Sequence, residues 1–155
     1  MAELGEANIG GRMVPAWILN GNASAIDFFE STDYPGCIYR KLADGTIEWV
    51  NPPMVLGVEY RTVERFQGKP VYAMAVDFGA MPNATTKSVT WKGSGVVSIV
   101  LSVNASDSNG GALGLGASLS GTEITATKTL LYVKSAGDYS GTSALFRIKY
   151  TKTAD

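Results

Sequence analysis

The chain has 155 residues, 45% of them hydrophobic and 17% charged, with a formal net charge of −1, one cysteine and no histidine. That length suits one domain able to bury roughly 68–70% of its unfolded surface, so neither a metal nor a disulfide is needed for folding. The absence of His excludes Ser-His-Asp and Cys-His catalysis and imidazole-ligated metals, Cys37 alone rules out an intrachain disulfide, and Lys and Arg scattered without a run argue against a nucleic-acid or anionic-membrane partner.

Residues 1–13 are Gly-rich and weakly patterned, and read as a leader or linker, leaving 14–155 as a single β-sandwich domain. Met1 is followed by Ala2, Glu3 and Leu4 without a basic start, and no stretch approaches 18 apolar residues, so neither a signal peptide nor membrane insertion is expected. The three Asn-x-Ser/Thr sequons, at Asn22, Asn83 and Asn104, then read as polar loop residues. VPAWILN, 14–20, predicts a short strand, and 27–30 fit one helical turn or a strand end, a loop or short helix being the reading adopted. Residues 36–43 and 46–51 predict a hairpin around Asp44-Gly45, a two-residue turn signal, with Ile47 and Trp49 on one face. Cys37, beside apolar residues in GCIYR, reads as a buried structural thiol. Asn51-Pro52-Pro53 then stops pairing, because neither proline can donate to a ladder.

The stretch around which the rest is organised is GVEYRTVERFQGKPVYAMAVDF, 57–78. Its first strand alternates Val58, Tyr60 and Thr62 with Glu59, Arg61 and Val63, the period of a strand. Gln67-Gly68 marks a tight turn, and Pro70 suits a strand start. The second strand places Tyr72, Met74, Val76 and Phe78 on one face and Val71, Ala73 and Ala75 on the other. The small face predicts close approach by another sheet or another copy of the chain. On a regular strand Glu59, Arg61 and Arg65 share a face opposite Glu64. They form either a charged ligand platform or a cross-strand or intersubunit ion-pair ladder, and the ladder is the reading adopted.

Further strands are predicted at 88–92, at 96–104 with Val97, Ile99, Leu101 and Val103 inward, at 122–126 and 128–134, and at 143–151. In the last, Phe146, Ile148 and Tyr150 face in while Arg147 and Lys149 face out. Ser106 to Gly111 reads as a turn, and the glycines that follow as a strand closely approached by another backbone. About ten strands, turns at short intervals and no amphipathic helix predict an all-β antiparallel sandwich, a jelly roll being one form of it.

Chemical constellations are sparse. Gly110, Gly111, Gly114 and Gly116 lack both the spacing and the following helix of a phosphate cradle. Asp107-x-Asn109-Gly110 opens like a Ca²⁺ loop but lacks the later ligands, so a turn is the reading. Carboxylates are present, but no pairing of them is visible in sequence, so no enzyme, cofactor or metal is expected. Aromatic faces beside amides and carboxylates are the material of carbohydrate sites. That leaves Trp91, Asp107, Asn109, Asp138 and Tyr139 as ligand-binding candidates, and Glu59, Arg61, Arg65 and Tyr72 as structural or interface residues.

One resemblance adds to this. Glu59, Tyr60, Arg61, Thr62, Glu64 and Arg65, then Gly68 to Tyr72, then Gly79, Met81, Pro82 and Asn83, then Lys87 and Val89, form a pattern similar to one that recurs in distal domains of tailed-phage and prophage tail-fibre proteins. Trp49 to Met54 resembles the lead-in to it, and FRIKYTKTAD the closing strand. Where the family often has a His after the Lys-x-Val step, this chain has Trp91. The resemblance implies the distal head of a trimeric fibre, made in the bacterial cytoplasm and carried on a virion or phage-tail-like particle. Its partners would be two further copies, other tail proteins, and a host-surface receptor such as a glycan. The alternative it leaves is a purely structural trimerising cap or connector. The small face, the Gly-rich segment and the near-zero charge suit a homotrimer.

Overall fold

The computed structural model describes residues 2–9, 12–19, 28–93, 95–107, 112–113 and 122–154. Among them are thirteen strands and no helix, so the fold is all-β, as expected. The chain divides into two compact units, Met1–Pro52 and Pro53–Asp155. The boundary thus falls at the Pro52-Pro53 pair, where neither residue can donate to a ladder, and not after residue 13.

In the first unit β1 (Ala2–Ile9) and β2 (Arg12–Leu19) form an antiparallel hairpin, Ala2 opposite Leu19 and Ile9 opposite Arg12. Residues read from sequence as a leader therefore include a paired strand. Three short strands form a meander: β3 (Phe28–Glu30), β4 (Ile38–Lys41) and β5 (Ile47–Trp49). Of the loop or short helix expected at 27–30, Phe28–Glu30 is corrected to a strand, because Phe29 pairs with Tyr39, and Tyr39 with Trp49. Their rings form a ladder, with centroids 5.6 and 5.3 Å apart. On the other face Arg40 donates from Nε and Nη2 to one oxygen of Glu48, at 2.9 and 2.6 Å, and Glu48 is fully buried. The hairpin turn is one residue longer than expected. Leu42 and Thr46 close it, Gly45 takes φ +85°, and the Asp44 carboxylate accepts from Thr46 N at 2.8 Å.

The second unit is a two-sheet arrangement. One sheet runs in the order β10 (Ala112–Leu113), β9 (Val97–Asp107), β13 (Ser143–Lys152), β7 (Lys69–Ala80), β6 (Glu59–Phe66), every neighbour antiparallel. The other is β11 (Glu123–Ala126), β12 (Leu130–Lys134), β8 (Thr86–Thr90). Phe66 pairs with Lys69, so Gln67-Gly68 is a two-residue loop, and both residues have positive φ, +50° and +78°. That is the mirror-image turn whose twist matches its strands, and glycine adopts it without steric cost.

The core is the facing surface of these sheets. Tyr72, Met74, Val76 and Phe78 from β7, and Phe146, Ile148 and Tyr150 from β13, pack against Leu131 and Val133 from β12 and against Trp91. The opposite face of β7 is also closed, Val71, Ala73 and Ala75 being 2%, 3% and 6% exposed. The small-residue face is therefore buried within one chain and is not available to a second copy. In β9 the expected inward set is half right. Val97 and Val103 are buried, but Ile99 is 42% exposed and Val100 packs against the core instead. Two register shifts opposite Tyr150 and Lys152 are the cause: each offsets the alternation by one residue, so period two does not hold across them.

Candidate functional site

The ligand-binding residues read from sequence do not converge. Trp91 is 2% exposed, meets Tyr150 edge-on at 5.0 Å, and donates its indole N–H to the Thr127 carbonyl at 3.2 Å. It is a core residue with no face toward solvent. Asp107 ends β9, opposite Ala144, and Asn109 lies outside the described residues. Asp138 is exposed, and one carboxylate oxygen accepts from Ser140 N at 2.9 Å and Ser140 Oγ at 2.7 Å, which holds the carboxyl below its usual range. Tyr139 is half-buried against the core.

Of the residues assigned to an ion-pair ladder, Glu59 does pair across strands, with Lys152 of β13, while Arg65 turns to the backbone. β6 carries two extra residues between Arg61 and Arg65. Thr62 Oγ1 donates to Val71 O at 2.8 Å there, and Arg65 Nη1 donates to the carbonyls of Thr62, Val63 and Glu64 at 3.2, 3.3 and 3.0 Å. Arg65 thus fastens the bulge. Glu64 pairs with Lys149 in an exposed bridge of 2.6 Å. Glu59 turns into the sheet interior. Its carboxylate accepts from Lys152 Nζ at 2.5 Å and from the Tyr150 hydroxyl. Lys152 Nζ also lies 3.8 Å from the Tyr72 ring centroid, and Tyr72 stacks on Tyr150. Burial, then the Glu59 hydrogen bond and charge, push the Tyr150 phenol above its usual range, so it remains a donor. The geometry of this cluster is that of a fastening between β6 and β13.

The surface feature with binding geometry is on the outer face of the three-stranded sheet. Leu131 and Val133 are fully buried, so alternation turns Tyr132 and Lys134 outward. Tyr132 is flanked by Thr125 on one side and Ser88 on the other, and Lys134 by Glu123 and Thr86. Thr86, Glu123, Thr125, Tyr132 and Lys134 line an open depression of about 270 Å³.

No family model, curated protein or solved structure matches the chain.

The depression therefore stands on its own chemistry. An aromatic face offers a partial negative charge to the axial C–H bonds of a sugar ring. Two hydroxyls, an acceptor carboxylate and a donor ammonium surround it, matching the donors and acceptors on a pyranose rim. A second groove, about 220 Å³, is lined by Val100, Leu101, Val103, Ile124 and Ala126 with Ser102 and Thr125, and it has no ring to stack on. In sequence the exposed aromatic is expected in a turn, at Tyr139, and Tyr132 lies inside a strand. The signal was available: a tyrosine between two aliphatic residues of a strand, sharing its face with Lys134.

Proposed function

We propose that the protein is a non-catalytic carbohydrate-binding module, the distal, receptor-binding part of a phage-type fibre, and that the Tyr132 depression is its sugar site. The observation that carries this is the ring of Tyr132 on a central strand, framed by Thr86, Thr125, Glu123 and Lys134 around an open depression. A shallow site on rigid strands suits recognition of an exposed glycan, which needs orientation more than enclosure. The likeness of about residues 34–91 to tail-fibre domains supports the same reading. On a glycan array, with intact bacterial cells alongside, Tyr132→Ala should weaken binding about tenfold or more, one aromatic contact being worth about 0.5–1.5 kcal/mol beyond its buried area. The urea midpoint should stay near wild type, because the core faces the other way. Failure of the wild-type protein to bind any glycan would overturn the reading in favour of a structural connector. That alternative draws on the way the fold absorbs Trp91 and the Glu59 cluster.

The reading carries a homotrimer with it. Since the Val71, Ala73 and Ala75 face is occupied within the chain, contact between copies falls to other surfaces, such as the exposed Val55, Leu56 and Val58. Light scattering should give three times the 16.4 kDa chain mass; a stable monomer at micromolar concentration would remove the trimer but leave the sugar site.

A further inference from the structure

We infer that the Tyr132 depression selects a zwitterionic substituent on its glycan, an ammonium and an anionic group a few bonds apart, over a neutral sugar; this deepens the carbohydrate-binding reading above and rests on it. The register on this face runs without a shift. Glu123, Lys134 and Thr86 lie opposite one another across β11, β12 and β8, and Thr125, Tyr132 and Ser88 form the next row. All six point away from the core, because Ile124, Leu131, Val133 and Val89, which alternate with them, pack into it. The two charged side chains of these rows, Glu123 and Lys134, are of opposite sign, and both line the depression.

Opposite charges set directly across a ladder ordinarily close on each other. Elsewhere in this protein they do: Arg40 and Glu48 are opposed in β4 and β5 and meet at 2.6 Å. Glu123 and Lys134 are opposed in the same way, yet neither side chain makes an ion pair or hydrogen bond among the described residues. Both charges thus stand open to a depression of about 270 Å³. An exposed pair forgoes little by staying apart, and a ligand bearing both charges can satisfy each with charge-assisted hydrogen bonds. A ligand group with one charge meets its counterpart and also a like charge about one strand spacing, ~4.8 Å, away. The register gives the two halves different surroundings. Lys134 has the Thr86 hydroxyl beside it, so an anion there can accept from an ammonium and a hydroxyl. Glu123 lies diagonally from Tyr132, a spacing of about 7–8 Å that long side chains reach across. A ligand ammonium between them can donate to the carboxylate and lie against the aromatic face. A phosphoethanolamine group on a sugar has this polarity.

The test is an array of matched glycans that differ in one substituent: none, amino only, phosphate only, and phosphoethanolamine. The phosphoethanolamine member should bind at least tenfold tighter than each of the others. Free phosphoethanolamine should shift the amide NMR signals of Glu123, Tyr132 and Lys134, whereas ethanolamine or inorganic phosphate at the same concentration should leave them in place. Glu123→Gln should turn the preference toward the phosphate-only glycan, and Lys134→Gln toward the amino-only one. Urea midpoints should stay near wild type in both, because these side chains are exposed; a merely structural pair would not move selectivity in opposite directions. Equal affinity for all four glycans, or a preference that neither substitution changes, overturns this inference, and the sugar site itself stands if Tyr132→Ala still weakens binding. Binding to phosphatidylethanolamine vesicles without binding to the phosphoethanolamine glycan also overturns it, in favour of a lipid headgroup. A wild-type protein that binds none of the four glycans, nor any other on a wider array, sinks the carbohydrate reading and this inference with it.

Discussion

Glu59→Ala should destabilise the second unit by about 3–5 kcal/mol, the range for breaking a buried ion pair by removing one partner. The side chains of Lys152 and Glu59 are only 8% and 16% exposed, so water does little to replace the lost carboxylate. Removing it takes the acceptor from the Lys152 ammonium and from the buried Tyr150 hydroxyl together. The ring of Tyr72 beneath Lys152 recovers a part, since a cation over an aromatic face is worth up to about 2 kcal/mol when desolvated. Urea unfolding of Glu59→Ala, Lys152→Met and the double variant should show strong coupling, the double variant being less damaged than the sum of the singles. Additive losses would mean that the two side chains stabilise the sheet separately. A loss of glycan binding with unchanged stability would mean that the cluster is a site and not a fastening.

Gly93→Ala should cost about 3 kcal/mol or more, the upper end of overpacking penalties. A Cβ at this position would fall against the hydroxyl of Tyr150 and an oxygen of Glu59, and 2.7 Å from Tyr150 Cζ. None of these atoms can give way cheaply. The Tyr150 ring is fully buried between Trp91 and Tyr72, and its hydroxyl is held by Glu59. Gly141→Ala is the control: nothing lies within 4 Å of its added methyl, so its denaturation midpoint should stay within about 0.5 kcal/mol of wild type. Equal midpoints for the two variants would show that the Tyr150 ring can shift and that the cluster is loosely held.

Sequence reasoning succeeded where one residue's neighbours decide its place. β13 alternates from Ser143 to Ile148, and β7 sorts its large side chains from its small ones by period two although both its faces are buried, so their core faces were legible, and Gln67-Gly68 declared its turn by composition. It failed where a distant strand decides. The shifts in β9 come from its pairing with β13, and nothing within Val97–Asp107 announces them. The Glu59–Lys152 pair spans 93 residues, so an ion pair across strands could be expected from Glu59, but its partner could not be named from spacing. Asp138 and Tyr139 were singled out from turn chemistry. The turn keeps one oxygen of the first and the core takes much of the second, while Tyr132, which lines the depression, sat in a strand whose outward face was not read from sequence.

The position of β13 governs the order in which this unit can be assembled. Ser143–Lys152 follows every other strand of the unit in sequence, yet it lies in the interior of its sheet, with β7 on one side and β9 on the other. Until it has been synthesised, β7 and β9 are separate unsatisfied edges and the Glu59 carboxylate lacks both its lysine and its tyrosine. Such late closure by non-local pairing places folding in the millisecond-to-second range typical of all-β domains. It also leaves a nascent chain exposing two sticky strands that neighbouring ribosome products could capture. Expression conditions that slow initiation and space the nascent chains apart should therefore raise the yield of native protein more than conditions that merely speed elongation.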